Sequence, residues 1–210
     1  MLITINEMET VKQNSKILKI LLKDFSVKHT ITSIAKEVGM TRVGTWKALK
    51  KLEKEKFIIL SPIGTGKTSA YNIILDWNNP LVEKVLVLAL TEDAIKNQRW
   101  MDNFIELKNK VNFFIIYGSI IQPPKEANDI DILGITSKNK FIEIEKSIKK
   151  IHTLNFTEAE FKQELEKPNK ALIDAIKKGI VLFGQEKFIK FIRSIRIWKK
   201  KKWEIVSQIR

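Results

Sequence analysis

Two apolar runs, the first ending in a glycine-serine bend and the second headed by a pair of acids, constrain this chain more than any other feature. Residues 111–136 read V-N-F-F-I-I-Y-G-S-I-I-Q-P-P-K-E-A-N-D-I-D-I-L-G-I-T. The first run is rich in Phe and Ile, breaks at Gly118-Ser119, and resumes at Asp129-Ile130-Asp131-Ile132-Leu133. That pattern predicts two buried strands with a short connection. Side chains alternate along a strand, so Asp129 and Asp131 are expected on one face, with Ile130 and Ile132 on the other.

Two adjacent carboxylates raise each other's proton affinity unless a cation sits between them. Mg²⁺ suits such a pair: it takes one or two protein carboxylates and fills its other positions with substrate phosphates and water. The glycine bend complements it, because a turn without a Cβ lets backbone N–H groups approach a phosphate closely. Gly-Ser, nine residues, then Asp-x-Asp resembles the minimal, single-domain nucleotidyltransferases of the DNA polymerase beta superfamily, and the resemblance covers roughly residues 92–190. Gly-Ser alone and Asp-x-Asp alone are weak signals; both at this spacing, each ending an apolar strand, are much rarer.

The resemblance implies Mg²⁺ and an NTP, ATP first, as cofactor and nucleotide. Gly118, Ser119 and Lys125 would bind the nucleotide, and Asp129 and Asp131 would be the metal ligands and catalytic carboxylates. The implied reaction passes an NMP group to a hydroxyl on a protein or small-molecule acceptor. Two departures stand beside it. Active members place a third carboxylate on the third strand, which here reads Ile151-His152-Thr153-Leu154-Asn155-Phe156; His152 or Asn155 could ligate a metal weakly without replacing that carboxylate, and His152 is read first as an ordinary strand residue. The small-residue-plus-Arg pattern after the bend is replaced by Ile120-Ile121-Gln122-Pro123-Pro124, which leaves Lys125 as the nearby cation. Two readings follow: an active transferase, or a degenerate domain serving as nucleotide sensor or dimerisation platform.

Upstream, Ile17, Leu18, Leu21, Leu22 and Phe25 have the spacing of an amphipathic helix starting near Ser15, and Leu2–Ile5 could form a short strand. A second helix, capped by Thr32 or Ser33, turns Ile34, Ala35 and Val38 inward. Gly39-Met40-Thr41 then turns tightly into a third helix with Val43, Trp46, Leu49 and Leu52 inward. Two extended segments, Phe57–Leu60 and Ala70–Leu75, follow. This order resembles a winged helix-turn-helix domain over residues 11–77, with the third helix in the major groove of DNA. The helical wheel turns Thr41, Gly44, Thr45, Lys47 and Lys51 outward; with Arg42 these are the expected DNA contacts, and Lys67 and Thr68 of the wing would reach a phosphate. Gly64-Thr65-Gly66-Lys67-Thr68 imitates a phosphate-binding P-loop, but position 61 is Ser61 rather than glycine and the following segment reads as a strand rather than a helix.

The expected organisation is therefore α+β: a winged helix-turn-helix over 11–77, connecting helices over 78–110, a nucleotidyltransferase-like mixed sheet flanked by helices over 111–190, and a basic helix over 191–210. Asn78-Asn79-Pro80 marks the boundary, Leu81–Leu90 reads as one helix, and Thr91 reads as the cap of another running to about Lys108. These connecting helices are expected either to tie the two domains together or to serve a homodimer interface. Further on, Ser137–Lys150 reads as a helix, Thr157 as the start of a capped one, and Gly179–Gly184 as a short apolar segment closing the domain.

Charge supports a polyanionic partner, nucleic acid first: 38 Lys and Arg against 24 Asp and Glu give +14, with a pI near 9.8. The absence of Cys rules out disulfides and thiolate metal sites. The longest apolar run, Val85–Leu90, is far too short to span a bilayer, so no membrane partner and a cytoplasmic location are expected.

Overall fold

The computed structural model describes residues 5–25, 27–63, 70–121, 129–136, 150–167 and 169–208, with the backbone alone for 5–13, 70, 150 and 197–208. The fold is α+β, with a two-stranded antiparallel sheet and a four-stranded mixed sheet. It divides into two compact units, Met1–Ala89 and Leu90–Arg210. No helix among the described residues is long and apolar enough to cross a membrane.

The first unit begins with α1 (Ile5–Lys23), longer than the spacing of its apolar residues predicts and helical already at Ile5. Ile17, Leu18, Leu21 and Leu22 are all buried along one stripe. In α2 (Ile31–Val38) the cap is Thr30 rather than Thr32 or Ser33. The Ser33 N–H donates to Thr30 Oγ1 at 3.3 Å and the Thr30 N–H to Ser33 Oγ at 2.9 Å, so Ser33 completes a reciprocal cap from inside the helix. Gly39 ends α2 with φ +74, a left-handed position that suits glycine. Thr41 caps α3 (Arg42–Lys54), accepting from the Gly44 N–H at 3.1 Å.

The orientation of α3 differs from the expected wheel. Thr45, Leu49 and Leu52 form its buried stripe, while Val43 is 66% exposed. Trp46 sits at the margin with its ring 5.3 Å from that of Tyr71. The large indole packs on the neighbouring hairpin, and the small Thr45 takes the interior position. Strands β1 (Ile58–Ile63) and β2 (Ala70–Leu75) pair antiparallel, Ile58 opposite Leu75 and Leu60 opposite Ile73. That β2 is a strand removes the helix a P-loop requires. His29 extends this sheet by a bridge to Ile73.

Helix α4 (Pro80–Ile95) runs straight through Thr91, so the expected break and cap there do not form. No glycine or proline interrupts residues 81–95, and the apolar run simply continues. The short α5 (Gln98–Asn103) and a 3₁₀ turn at Ile105–Leu107 follow in place of a helix reaching Lys108.

The mixed sheet has the order β5-β4-β3-β6, built from β3 (Phe113–Tyr117), β4 (Asp129–Thr136), β5 (Lys150–Thr157) and β6 (Ile180–Phe183). Strand β3 is antiparallel to β4 and β6, and β4 is parallel to β5. The short apolar segment expected to close the domain is thus the fourth strand. Burial on both faces explains the near-continuous apolar runs. On one face Phe114, Ile116, Ile130 and Ile132 pack with Trp100, Phe104 and Leu107. On the other, Phe113 lies 5.3 Å from Phe188 and 5.2 Å from Phe191, ring to ring. Phe188 and Phe191 belong to α8 (Gln185–Gln208). Phe161 of α6 (Glu158–Glu164) meets Phe191 at 5.1 Å, and Leu172, Ala175 and Ile176 line the buried stripe of α7 (Lys170–Lys178). Removing one such buried ring costs roughly 3–5 kcal/mol. Lys67, Thr68, Lys125 and residues 137–149 of the helix expected over Ser137–Lys150 lie outside the described residues, and Lys150 itself begins β5 instead.

Candidate functional site

Strand pairing decides which polar residues meet at the tip of the mixed sheet. Tyr117 ends β3 opposite Asp131 of β4, and Asp131 stands opposite His152 of β5. Paired residues share a face, so phenol, carboxylate and imidazole form one row across three strands. Asp129, two residues before Asp131, falls on the same face by the alternation of the strand and is half-buried.

The chain leaves β3 through Gly118, which holds φ +83. A Cβ there would overlap the Asp131 carboxylate, so the bend and the acid lie in direct apposition. Ser119 is exposed at the start of a 3₁₀ turn, Ser119–Ile121, and Ile120 anchors that turn in the core. Gly118, Ser119 and Asp131 are therefore brought together.

His152 faces this arrangement, with Nδ1 3.3 Å from Asp131 Oδ1. A carboxylate can only accept when ionised, so the pairing favours the proton on Nδ1 and the lone pair on Nε2. The side chains are 48% and 29% exposed, which makes this a solvent-accessible pair rather than a core contact. His152 is thus more than a strand residue; the signal was its position two strand-widths from Tyr117 in a register that spacing alone does not disclose. Burial, and after it the charge of Asp131, push the Tyr117 phenol up to about 12. It therefore remains a protonated donor at neutral pH.

Two carboxylates on one face with an imidazole beside them are a donor set able to hold a divalent cation. The set is loose. Among the described residues, a His/Asp/Glu trio with ligand atoms all within 4.8 Å of one another occurs at Asp24, His29 and Glu37 and not at Asp129, Asp131 and His152. Any cation at the sheet tip would have to draw Asp129 toward the Asp131–His152 pair.

In the first unit, Thr41, Arg42, Lys47 and Lys51 are exposed on or at the start of α3, and Gly44 is half-buried. Thr45 is removed from the expected contact set because it is fully buried. Val43, expected inside, joins the exposed face instead. Lys50 is drawn aside, with Nζ 2.7 Å from Glu53 and 4.9 Å from the centre of the Trp46 ring.

Comparison with known proteins finds no match to this chain among family models, curated proteins or solved structures.

Proposed function

We propose that the protein is a DNA-binding winged-helix protein whose second unit is a nucleotidyltransferase-like domain that binds Mg²⁺ and an NTP, ATP first. The observation that carries this reading is the apposition of the Gly118 bend and the Asp131 carboxylate. The bend would, in this reading, offer backbone donors to a phosphate and the acid an oxygen ligand to a cation. In this reading Gly118 and Ser119 hold the phosphates, and Asp129 and Asp131 are the cation ligands. Mg²⁺, when bound, would neutralise the triphosphate charge. An acceptor hydroxyl then takes the NMP group and pyrophosphate leaves.

A second reading is favoured by His152. It occupies the row position nearest Asp131 on the third strand, where the resemblance calls for a carboxylate. An imidazole held by Asp131 is a poor replacement for that acid, so the domain would bind nucleotide without transferring it. The whole protein would then be a transcriptional regulator with a nucleotide sensor or dimerisation platform.

For the first unit, the exposed residues Arg42, Lys47 and Lys51 on α3 support a groove-facing helix, and the hairpin supports a wing. Incubation with radiolabelled ATP and Mg²⁺ separates the readings of the second unit. Transfer lost in Asp129→Asn/Asp131→Asn supports the enzyme. Equilibrium ATP binding without transfer, also lost in that variant, supports the sensor. Absence of both rejects the nucleotide site.

A further inference from the structure

We propose that Asp24, His29 and Glu37 form a divalent transition-metal site within the first unit. Asp24 follows α1, His29 makes the bridge to β2, and Glu37 lies in α2. One ligand atom from each lies within 4.8 Å of the others. Asp24 and His29 are 3% and 2% exposed, and Glu37 is the most exposed of the three, so the trio runs from the interior toward solvent.

The state of the imidazole points to a ligand. His29 Nε2 stands 2.9 Å from the backbone carbonyl oxygen of Asp24. A carbonyl only accepts, so Nε2 carries the proton and the lone pair is on Nδ1. Nδ1 is buried and meets no hydrogen-bond partner. A desolvated lone pair without a partner is unfavourable in a closed core and favourable at a cation. A metal-bound histidine characteristically donates its other ring N–H to a carbonyl or carboxylate, which is the arrangement found here.

One nitrogen and two oxygens form a borderline donor set that suits Zn²⁺ and its transition-metal neighbours better than Mg²⁺ or Ca²⁺. With bonds of about 2.0–2.2 Å in tetrahedral geometry, ligand atoms stand about 3.3–3.6 Å apart, so the trio, now within 4.8 Å, must close by up to about 1.5 Å. The exposure of Glu37 gives the ion an entry path. A cation there would join the end of α1, the His29–Ile73 bridge and α2, the three segments that precede or brace α3.

The test uses the full chain carrying Asp129→Asn/Asp131→Asn, so that the acids of the other unit do not contribute. Only two His and no Cys are present, which limits adventitious zinc binding. Zn²⁺ is expected to raise the Tm by about 5 °C or more and Mg²⁺ to leave it unchanged. Co²⁺ is expected to develop visible absorption bands. Both responses should vanish in His29→Gln, which keeps a donor at the Nε2 position but has no Nδ1 lone pair, and in Glu37→Gln. If His29→Gln fails to fold, Glu37→Gln, the change at the most exposed of the three, decides. No response to Zn²⁺, an equal response to Mg²⁺, or a Zn²⁺ response unchanged by Glu37→Gln overturns the assignment.

Discussion

The Asp131 carboxylate occupies the space that any side chain at position 118 would need, so residue 118 must be glycine for the acid to lie where it does. The positive φ of Gly118, +83, adds a second reason, since L-residues reach that region only with strain.

Gly118→Ala should therefore cost about 1–3 kcal/mol in urea unfolding, from the left-handed strain together with displacement of the acid. ATP binding, measured by equilibrium dialysis in the presence of Mg²⁺, should weaken by about tenfold or more because bend and carboxylate can no longer be apposed. Unchanged binding with reduced stability would limit the glycine to a folding role.

The alkaline behaviour of Tyr117 follows from its environment. Its folded pKa, about 12, exceeds the ordinary value of 10.0, so the folded state holds the phenolic proton more tightly than the unfolded chain. The associated stability is fully present below pH 10.0 and is lost as pH rises from 10.0 through about 12. Tyrosinate absorbance in a Tyr71→Phe background, which leaves Tyr117 as the one tyrosine of the chain, should follow this titration. Asp131→Asn should lower it only partly, since burial is the larger cause. A complete return to the ordinary value would assign the shift to charge instead.

Thr45 offers a sharp contrast with its neighbours on α3. Its Oγ1 is buried and has no hydrogen-bond partner. Thr45→Val should leave stability unchanged or raise it by up to about 1 kcal/mol, with DNA affinity unaltered. Lys47→Ala/Lys51→Ala should instead weaken DNA binding and reduce the slope of log K against log salt by about 2, as measured by fluorescence anisotropy. Equal affinity in the lysine variant would remove α3 from the DNA interface.

The start of α6 is held by a reciprocal cap. The Thr157 N–H donates to Glu160 Oε2 at 2.7 Å and the Glu160 N–H to Thr157 Oγ1 at 3.3 Å. Hydrogen bonds from the Thr157 backbone, then from its hydroxyl, lower the Glu160 pKa. A depressed acid stabilises above its unfolded value and loses that contribution as pH falls through the folded one. Thr157→Ala should cost about 1 kcal/mol at neutral pH by chemical denaturation. Glu160→Gln should flatten the acid limb of the stability profile.

How much the sequence disclosed depends on how local each cause is. Alternation placed Asp129 and Asp131 on one face, and the glycine-serine pair marked the bend, because both follow from neighbouring residues. The face of α3 was misjudged because large apolar residues were assigned inward; Trp46 packs instead against Tyr71, a residue from another element. Thr91 resembles a cap in a short window, yet nothing in residues 81–95 stops the preceding helix. His152 gained its partner only from the register of β4 against β5, which no single segment encodes. The Asp24–His29–Glu37 trio was unreadable for the same reason, being gathered from three separate elements.

The row Tyr117–Asp131–His152 draws one residue from each of three strands, so no single hairpin can produce it. A collapsed intermediate with β3 and β4 joined but β5 undocked would already give the phenol its acidic neighbour while leaving the imidazole untouched. Following the phenol's absorbance and the imidazole's magnetic-resonance signals during refolding would thus time the docking of the sheet's outer parallel strand, using groups that the protein already carries.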